Sequence, residues 1–305
     1  MPLCYLRNIK LLLTLMDLLR DVRTIIVSGG IEERESRAIA RILIEKVAGM
    51  DVVEALLTPA DQPLIDKDGR DMRELLYESA RRVSCGEPVQ YVLGETDFRR
   101  RSFIVDESVL IPRPETEGVV DWAIALYTCA WGGSRRNVLD IGTGSGCIAV
   151  SLAAELPLAN VSAWDVSDKA LNVAQRNADA HGVKVKFKQV DVLGQYIPRR
   201  GRPYSMIVSN PPYICKSEAK EMEAHVLNHE PHLALFVPDA DPLLFYRAIA
   251  FTALDLLTPD GILLFEVNSR FGDRTALLLQ AIGYRGVELR KDMYGNDRMV
   301  KGVCP

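Results

Sequence analysis

Apolar residues return at helical spacing early in the chain: Leu11, Leu12, Met16, Leu19 and Val22 lie on one face of a helix over about residues 10–27. Ser28-Gly29-Gly30 stops that helix. Further helices are predicted near 33–48, 51–57 and 70–84, with Gly49 closing the first of these and Gly86 followed by Pro88 the last. The pattern then changes. Gln90-Tyr91-Val92-Leu93-Gly94 and Phe103-Ile104-Val105 read as two strands around turn residues Glu95 to Arg101, a hairpin between two domains. Ile111-Pro112-Arg113-Pro114-Glu115-Thr116-Glu117 leads into a helix from Thr116 to Ala130.

From Asn137 onward strands and helices alternate. Val138 to Ile141, Val161 to Trp164, Val185 to Phe187, Ser205 to Val208 and Ile262 to Val267 are strands. Helices fill Ser145 to Glu155, the stretch from the Ser167 cap to about Ala180, and about 241–257. Such alternation predicts a mostly parallel α/β sheet with helices on both faces, whose ligands bind beyond the carboxyl ends of the strands. The boundaries drawn are a helical N-terminal domain over 1–88, a β-hairpin linker over 89–113 and an α/β domain over 114–305.

Composition narrows the partners. Lys and Arg number 37 against 41 Asp and Glu, a net charge of −4, which argues against broad binding to a phosphate backbone. Six scattered cysteines, no two of them spaced Cys-x-x-Cys, read as reduced thiols of a cytoplasmic protein. The apolar stretch Leu11 to Leu19 is interrupted by Asp17 and lacks a small-residue cleavage site, so it reads as helix and not as a signal peptide. Met16 offers an alternative start. No apolar run reaches the length of a membrane span.

The chemistry sits at strand ends. Asp140-Ile141-Gly142-Thr143-Gly144-Ser145-Gly146 joins the first α/β strand to its helix, and its alternate glycines let the chain turn sharply and a ligand approach closely. The spacing is neither the dinucleotide fingerprint nor a P-loop. Asp165, after the next strand, suits the two hydroxyls of a ribose, and Asp191, after the third, an adenine edge. Taken in this order they fit S-adenosylmethionine.

Ser209-Asn210-Pro211-Pro212-Tyr213 follows the fourth strand. Its prolines stiffen the backbone and remove two N–H groups. The Asn210 side-chain carbonyl and the Pro211 backbone carbonyl can together receive both hydrogens of a planar –NH2 group, with Tyr213 packed on its face. Holding an amide nitrogen this way aims it at an electrophilic methyl, and positioning alone supplies much of the rate. His225, His229 and His232, near Glu221 and Glu230, do not share a helix face because Pro231 interrupts them, so no metal site is expected.

These motifs resemble the HemK/PrmC-type protein-(glutamine-N5) methyltransferases, which act on class I peptide chain release factors. The likeness runs from about Ile31 to the C-terminus and includes Gly86-Glu87-Pro88-Val89-Gln90-Tyr91-Val92-Leu93-Gly94, Val109 to Glu117, Leu139 to Ala149, Val208 to Tyr213, His229 to Leu235, Phe245 to Arg247 and Lys291 to Arg298. Asn-Pro-Pro-Tyr alone is shared with enzymes that methylate amino groups of DNA and RNA, whereas Ile-Pro-Arg-Pro-Glu-Thr-Glu is far more specific.

The resemblance implies a Rossmann-like, seven-stranded class I S-adenosylmethionine-dependent methyltransferase domain behind a helical N-terminal domain and a hairpin linker that help grip the release factor. It assigns the cofactor to Gly142, Thr143, Gly144, Ser145, Gly146, Asp165, Asp191, Val192 and Asn210. The glutamine of the Gly-Gly-Gln loop falls to Asn210, Pro211, Pro212 and Tyr213, with Asn210, Pro211 and Tyr213 catalytic. Arg113 and Glu115 are expected to fasten the linker near the site, and the enzyme to be a cytoplasmic monomer that does not bind nucleic acid. Phe98-Arg99-Arg100, Asp239-Ala240-Asp241-Pro242 and Val267-Asn268 depart from the family pattern, which bears on substrate detail more than on chemistry.

Overall fold

The computed structural model describes residues 18–48, 71–194 and 203–305. The predicted helix at 51–57 and the first turns of the helix at 10–27 lie outside these residues. The described chain divides into two compact units: one holds the residues up to Gly94 together with Ala224–His229, the other Glu95–Glu223 and Glu230–Pro305.

In the first unit, α1 (residues 18–28), α2 (Glu33–Ala48) and α3 (Met72–Ser84) enclose Val22, Ile26, Leu43, Ile44, Leu76 and Ala80, all buried. Asp71 caps α3 by accepting from Arg73 N at 2.9 Å. The segment expected as a strand at Gln90–Gly94 is instead a short helix, α4 (Val89–Leu93). Pro88 starts it with its carbonyl, and Gly94 closes it in the left-handed conformation at φ 73°. Val89, Val92 and Leu93 thereby pack at helical spacing on the core, which alternation along a strand would not allow. Glu87 grips Arg82 through two bonds of 2.8 and 2.5 Å.

The second unit opens with a hairpin shorter than predicted, β1 (Glu95–Phe98) against β2 (Arg101–Ile104). Arg99 and Arg100 form its two-residue turn at φ 50° and 59°. Next come α5 (Pro114–Trp131), β3 (Arg136–Ile141), α6 (Cys147–Glu155), β4 (Ala159–Asp165), α7 (Asp168–Ala180), β5 (Val185–Gln189) and β6 (Tyr204–Ser209). A small excursion follows, with β7 (Ile214–Cys215) parallel to β8 (Phe236–Val237) and the short helices α8 (Ala224–His229) and α9 (His232–Leu235) between them. The chain ends with α10 (Leu244–Leu256), β9 (Leu257–Glu266), α11 (Gly272–Ile282), β10 (Arg285–Lys291) and β11 (Asp297–Val303).

Seven strands form one sheet in the order β10-β11-β9-β6-β3-β4-β5. Strands β3, β4, β5, β6 and β9 run parallel, and β11 is antiparallel to both its neighbours. The central strands are buried on both faces, hence their continuous apolar runs. Val119, Val120, Ile148 and Leu152 pack on one face, and Tyr246, Ile249, Ala253 and Leu279 on the other. Strand β9 begins at Leu257, before the predicted Ile262, and carries Pro259 and a left-handed Asp260 where its pairing with β6 shifts register. No described helix is long and apolar enough to cross a membrane.

Candidate active site

The loop between β3 and α6 is shaped by its glycines. Gly142, Gly144 and Gly146 all adopt positive φ, at 74°, 54° and 81°. The N–H groups of Gly142 and Thr143 both donate to Trp164 O, at 2.8 and 3.0 Å, which folds the loop back over the end of β4. A Cβ on Gly144 would meet nothing within 4 Å, so the backbone there stands open to a ligand. A Cβ on Gly146 would come within 3.0 Å of Ala174 Cβ and 3.2 Å of its Cα, so this glycine serves the approach of α6 to α7. Beneath the loop Asp140 is fully buried; its Oδ2 accepts from Thr143 Oγ1 at 2.6 Å while Oδ1 has no partner. Burial pushes the Asp140 carboxyl up to about 7.

Asp165 ends β4 and points back at the loop, accepting from Gly144 N and Ser167 N, each at 2.9 Å. Desolvation raises its carboxyl above the ordinary value, and the two backbone bonds oppose that. Asp191 lies exposed beyond β5, accepting from Leu193 N at 2.8 Å, with Val192 half-buried beside it. A cavity outside the strand ends is lined by Gly142, Thr143, Gly144, Ser145, Asp165, Asp191, Val192, Asn210, Pro211 and Pro212. Val109, Leu110, Leu233, Phe245 and Ile249 are among the apolar residues of its walls. Gly146 and Tyr213 do not line it.

Strand β6 delivers Asn210 next to the glycine loop. Ser209 is the register partner of Ile141, and its hydroxyl donates to Ile141 O at 2.6 Å. The Asn210 carbonyl sits 3.9 Å from the place a Gly142 Cβ would occupy. Asn210 Nδ2 donates to Thr116 Oγ1 at 3.3 Å, and Thr116 donates to Glu266 Oε2 at 2.7 Å. The Tyr213 hydroxyl reaches Glu266 Oε1 at 3.4 Å. Glu266 ends β9 fully buried, and burial lifts its carboxyl to about 7 against the pull of Thr116 and Arg298. Asn268, one of the departures from the family pattern, donates from Nδ2 to Tyr213 O at 3.3 Å and so anchors the same segment.

The linker is fastened by Arg113, which donates to Glu230 Oε1 at 2.5 Å, while Ile111 N reaches Oε2 at 3.3 Å. Glu115 occupies the first turn of α5, where its charge opposes ionisation of Glu266. Among the described residues no group of three or more His, Cys, Asp or Glu could hold a metal. Thr116 and Glu266 escaped the sequence reading. Glu266 was findable, because it ends a parallel strand at the edge where the other site residues fall; its link to Thr116, 150 positions away, was not.

The methyltransferase small domain model matches residues 120–234. A release factor glutamine methyltransferase of Flavobacterium psychrophilum is 42% identical over 88% of this chain and 92% of its own length. That of Bacteroides thetaiotaomicron is 41% identical over 87% and 92%. Among solved structures, the hMettl16 catalytic domain in complex with a MAT2A 3'UTR hairpin shares the fold at TM-score 0.50, with 16% identity over 78% of this chain and 86% of that one. Identity above two in five residues across almost the full length of both partners, on a seven-stranded sheet with its glycine loop and Asn-Pro-Pro-Tyr segment side by side, places this chain in the release factor glutamine methyltransferase family.

Proposed function

We propose that the protein transfers the methyl group of S-adenosylmethionine to the side-chain amide N5 of the glutamine in the Gly-Gly-Gln motif of class I peptide chain release factors, tuning translation termination. The observation that carries this reading is the junction of β3 and β6, where the glycine loop and Asn210 emerge side by side into one cavity.

The residues present fit the cofactor. Gly144 leaves its backbone open, Asp165 keeps acceptor capacity for ribose hydroxyls, and Asp191 and Val192 flank the far end for the adenine. Bound there, S-adenosylmethionine supplies a methyl group on an electrophilic sulfonium sulfur. Asn210 Oδ1 and Pro211 O offer two acceptors for the two hydrogens of the substrate amide. Satisfying both turns the nitrogen toward the methyl and lowers the entropic part of the barrier. Pro211 and Pro212 lack N–H groups, so they offer the amide acceptors without competing donors. Tyr213 stiffens the segment from below through Glu266. A dedicated base is not needed, because the nitrogen becomes acidic once it carries the methyl.

The helical unit and the hairpin serve recognition of the release factor, which the family's substrate requires. The near balance of 37 basic and 41 acidic residues supports a protein partner over nucleic acid, and the scattered thiols support a reducing, cytoplasmic setting.

Methyl-labelled S-adenosylmethionine incubated with the protein and its host's release factors tests the assignment. Label on the wild-type factor that vanishes when the Gly-Gly-Gln glutamine becomes alanine supports it. Label on nucleic acid or a ribosomal protein instead would move the substrate while leaving fold and cofactor in place.

A further inference from the structure

A carboxamide is nearly symmetric in shape, and either of its ends can face a pocket. If Asn210 presented its NH2 to a substrate –NH2, two donors would oppose each other, so the acceptor role requires that one rotamer be enforced. The structure contains the means. Asn210 Nδ2 lies 3.3 Å from Thr116 Oγ1, and that hydroxyl lies 2.7 Å from Glu266 Oε2. A hydroxyl has one proton. Ionised Glu266 can only accept, so Thr116 gives its proton to the carboxylate and has only lone pairs left for Asn210. The Asn210 NH2 is then bound to Thr116 and its Oδ1 is turned the other way. A protonated Glu266 allows the reverse chain, in which Glu266 donates to Thr116, Thr116 donates to Asn210 Oδ1, and the amide flips.

Three elements meet here that are distant in sequence: the first turn of α5, the end of β6 and the end of β9. The groups whose charge or dipole acts on Glu266 are Arg298 on β11, Tyr213 after β6 and Glu115 on α5; Tyr246 on α10 and Cys147 on α6 feel its charge in turn. Thr116 and Glu266 are 2% and 1% exposed, so bulk water does not compete for these bonds.

We propose that Glu266 and Thr116 are positioning residues that fix the direction of the Asn210 carboxamide, keeping its oxygen toward the substrate amide only while Glu266 is ionised. This rests on the reading that Asn210 receives the glutamine amide.

The test compares wild type, T116V, T116S, E266Q and N210A on the release factor, measuring kcat and KM across about pH 6–9 and donor affinity by calorimetry. T116V keeps side-chain volume but removes the relay; kcat should fall about ten- to a hundredfold with donor affinity and KM little changed. T116S should recover the lost kcat. Wild-type kcat should rise along an acid limb as Glu266 ionises, and E266Q should lose that limb, because a glutamine amide does not ionise and so holds the relay in one direction at every pH.

Full kcat in T116V, or an acid limb that persists in E266Q, overturns the proposal. If T116V does not fold, as judged by circular dichroism, the E266Q profile decides alone. Full kcat in N210A would show that the reading of Asn210 itself is wrong; loss in N210A with none in T116V would show that only the relay is.

Discussion

Asp140 and Glu266 are carboxyl groups placed where water cannot reach them, one under the glycine loop and one under the Asn-Pro-Pro-Tyr segment. Each is pushed up to about 7 from ordinary values of 3.8 and 4.5. The folded protein therefore holds protons that the unfolded chain has already released. Their contribution to stability is complete below about pH 4 and is lost as pH rises through 7. Surface carboxylates held low by arginine, such as Glu87 and Glu155, titrate below 4.5 and leave this window alone. The ligand-free protein should melt at higher temperature at pH 6 than at pH 8, and D140N should flatten that slope; equal slopes for both would show that Asp140 is ionised throughout. At this scale the sequence was most informative where function is local. Three glycines in five residues, or an Asn between a strand and two prolines, announce themselves, whereas Thr116 and Glu266 stand 150 positions apart and become partners only in the folded chain.

Among the elements, the hairpin turn bears the clearest mark of substitution against local preference. Two-residue turns with positive φ at both positions favour Asn-Gly, yet here Arg99 and Arg100 occupy them. Arg99 is compensated: its N–H donates to Glu117 at 2.8 Å and its guanidinium reaches Asp121 at 2.6 Å and Glu155 at 2.8 Å. Arg100 is exposed and gains nothing comparable in its place, so R100G should stabilise by about 1 kcal/mol, a rise of about 2–4 °C in Tm. R99G relieves the same strain but loses the ion pairs and should not stabilise; calorimetry on the two variants separates these effects. A second contrast lies between ion pairs. Glu230 has no exposed side-chain surface, and R113A would leave its carboxylate buried with only Ile111 N, a loss of about 3 kcal/mol. E87A at the surface should cost under about 1 kcal/mol in the same denaturation series. Periodicity misjudged α4 because so short a segment, apolar at all but Gln90, fits strand and helix alike; the deciding factors were Pro88, Gly94 and the core that Val92 and Leu93 join.

For the whole molecule, the parallel half of the sheet was legible because each βα step is short and each strand is apolar along its length. The insertion of β11 between β9 and β10 was not, since it depends on pairing that no local pattern encodes. Nor did the sequence reveal that Ala224–His229, far along the chain, belongs with the helices before Gly94. A chain that begins at Glu95 should keep slow amide exchange in β3 and β6 but exchange rapidly at 224–229, which hydrogen-exchange mass spectrometry can read; protection retained at 224–229 would show that this segment needs no helical partner. The same feature has a covalent consequence. His229 belongs to the helical unit, yet the next residue is Glu230, whose carboxylate Arg113 holds within the other unit. The chain therefore passes between the two units at three peptide bonds, Gly94–Glu95, Glu223–Ala224 and His229–Glu230, so a single nick at any one of them leaves the units covalently tied through the other two.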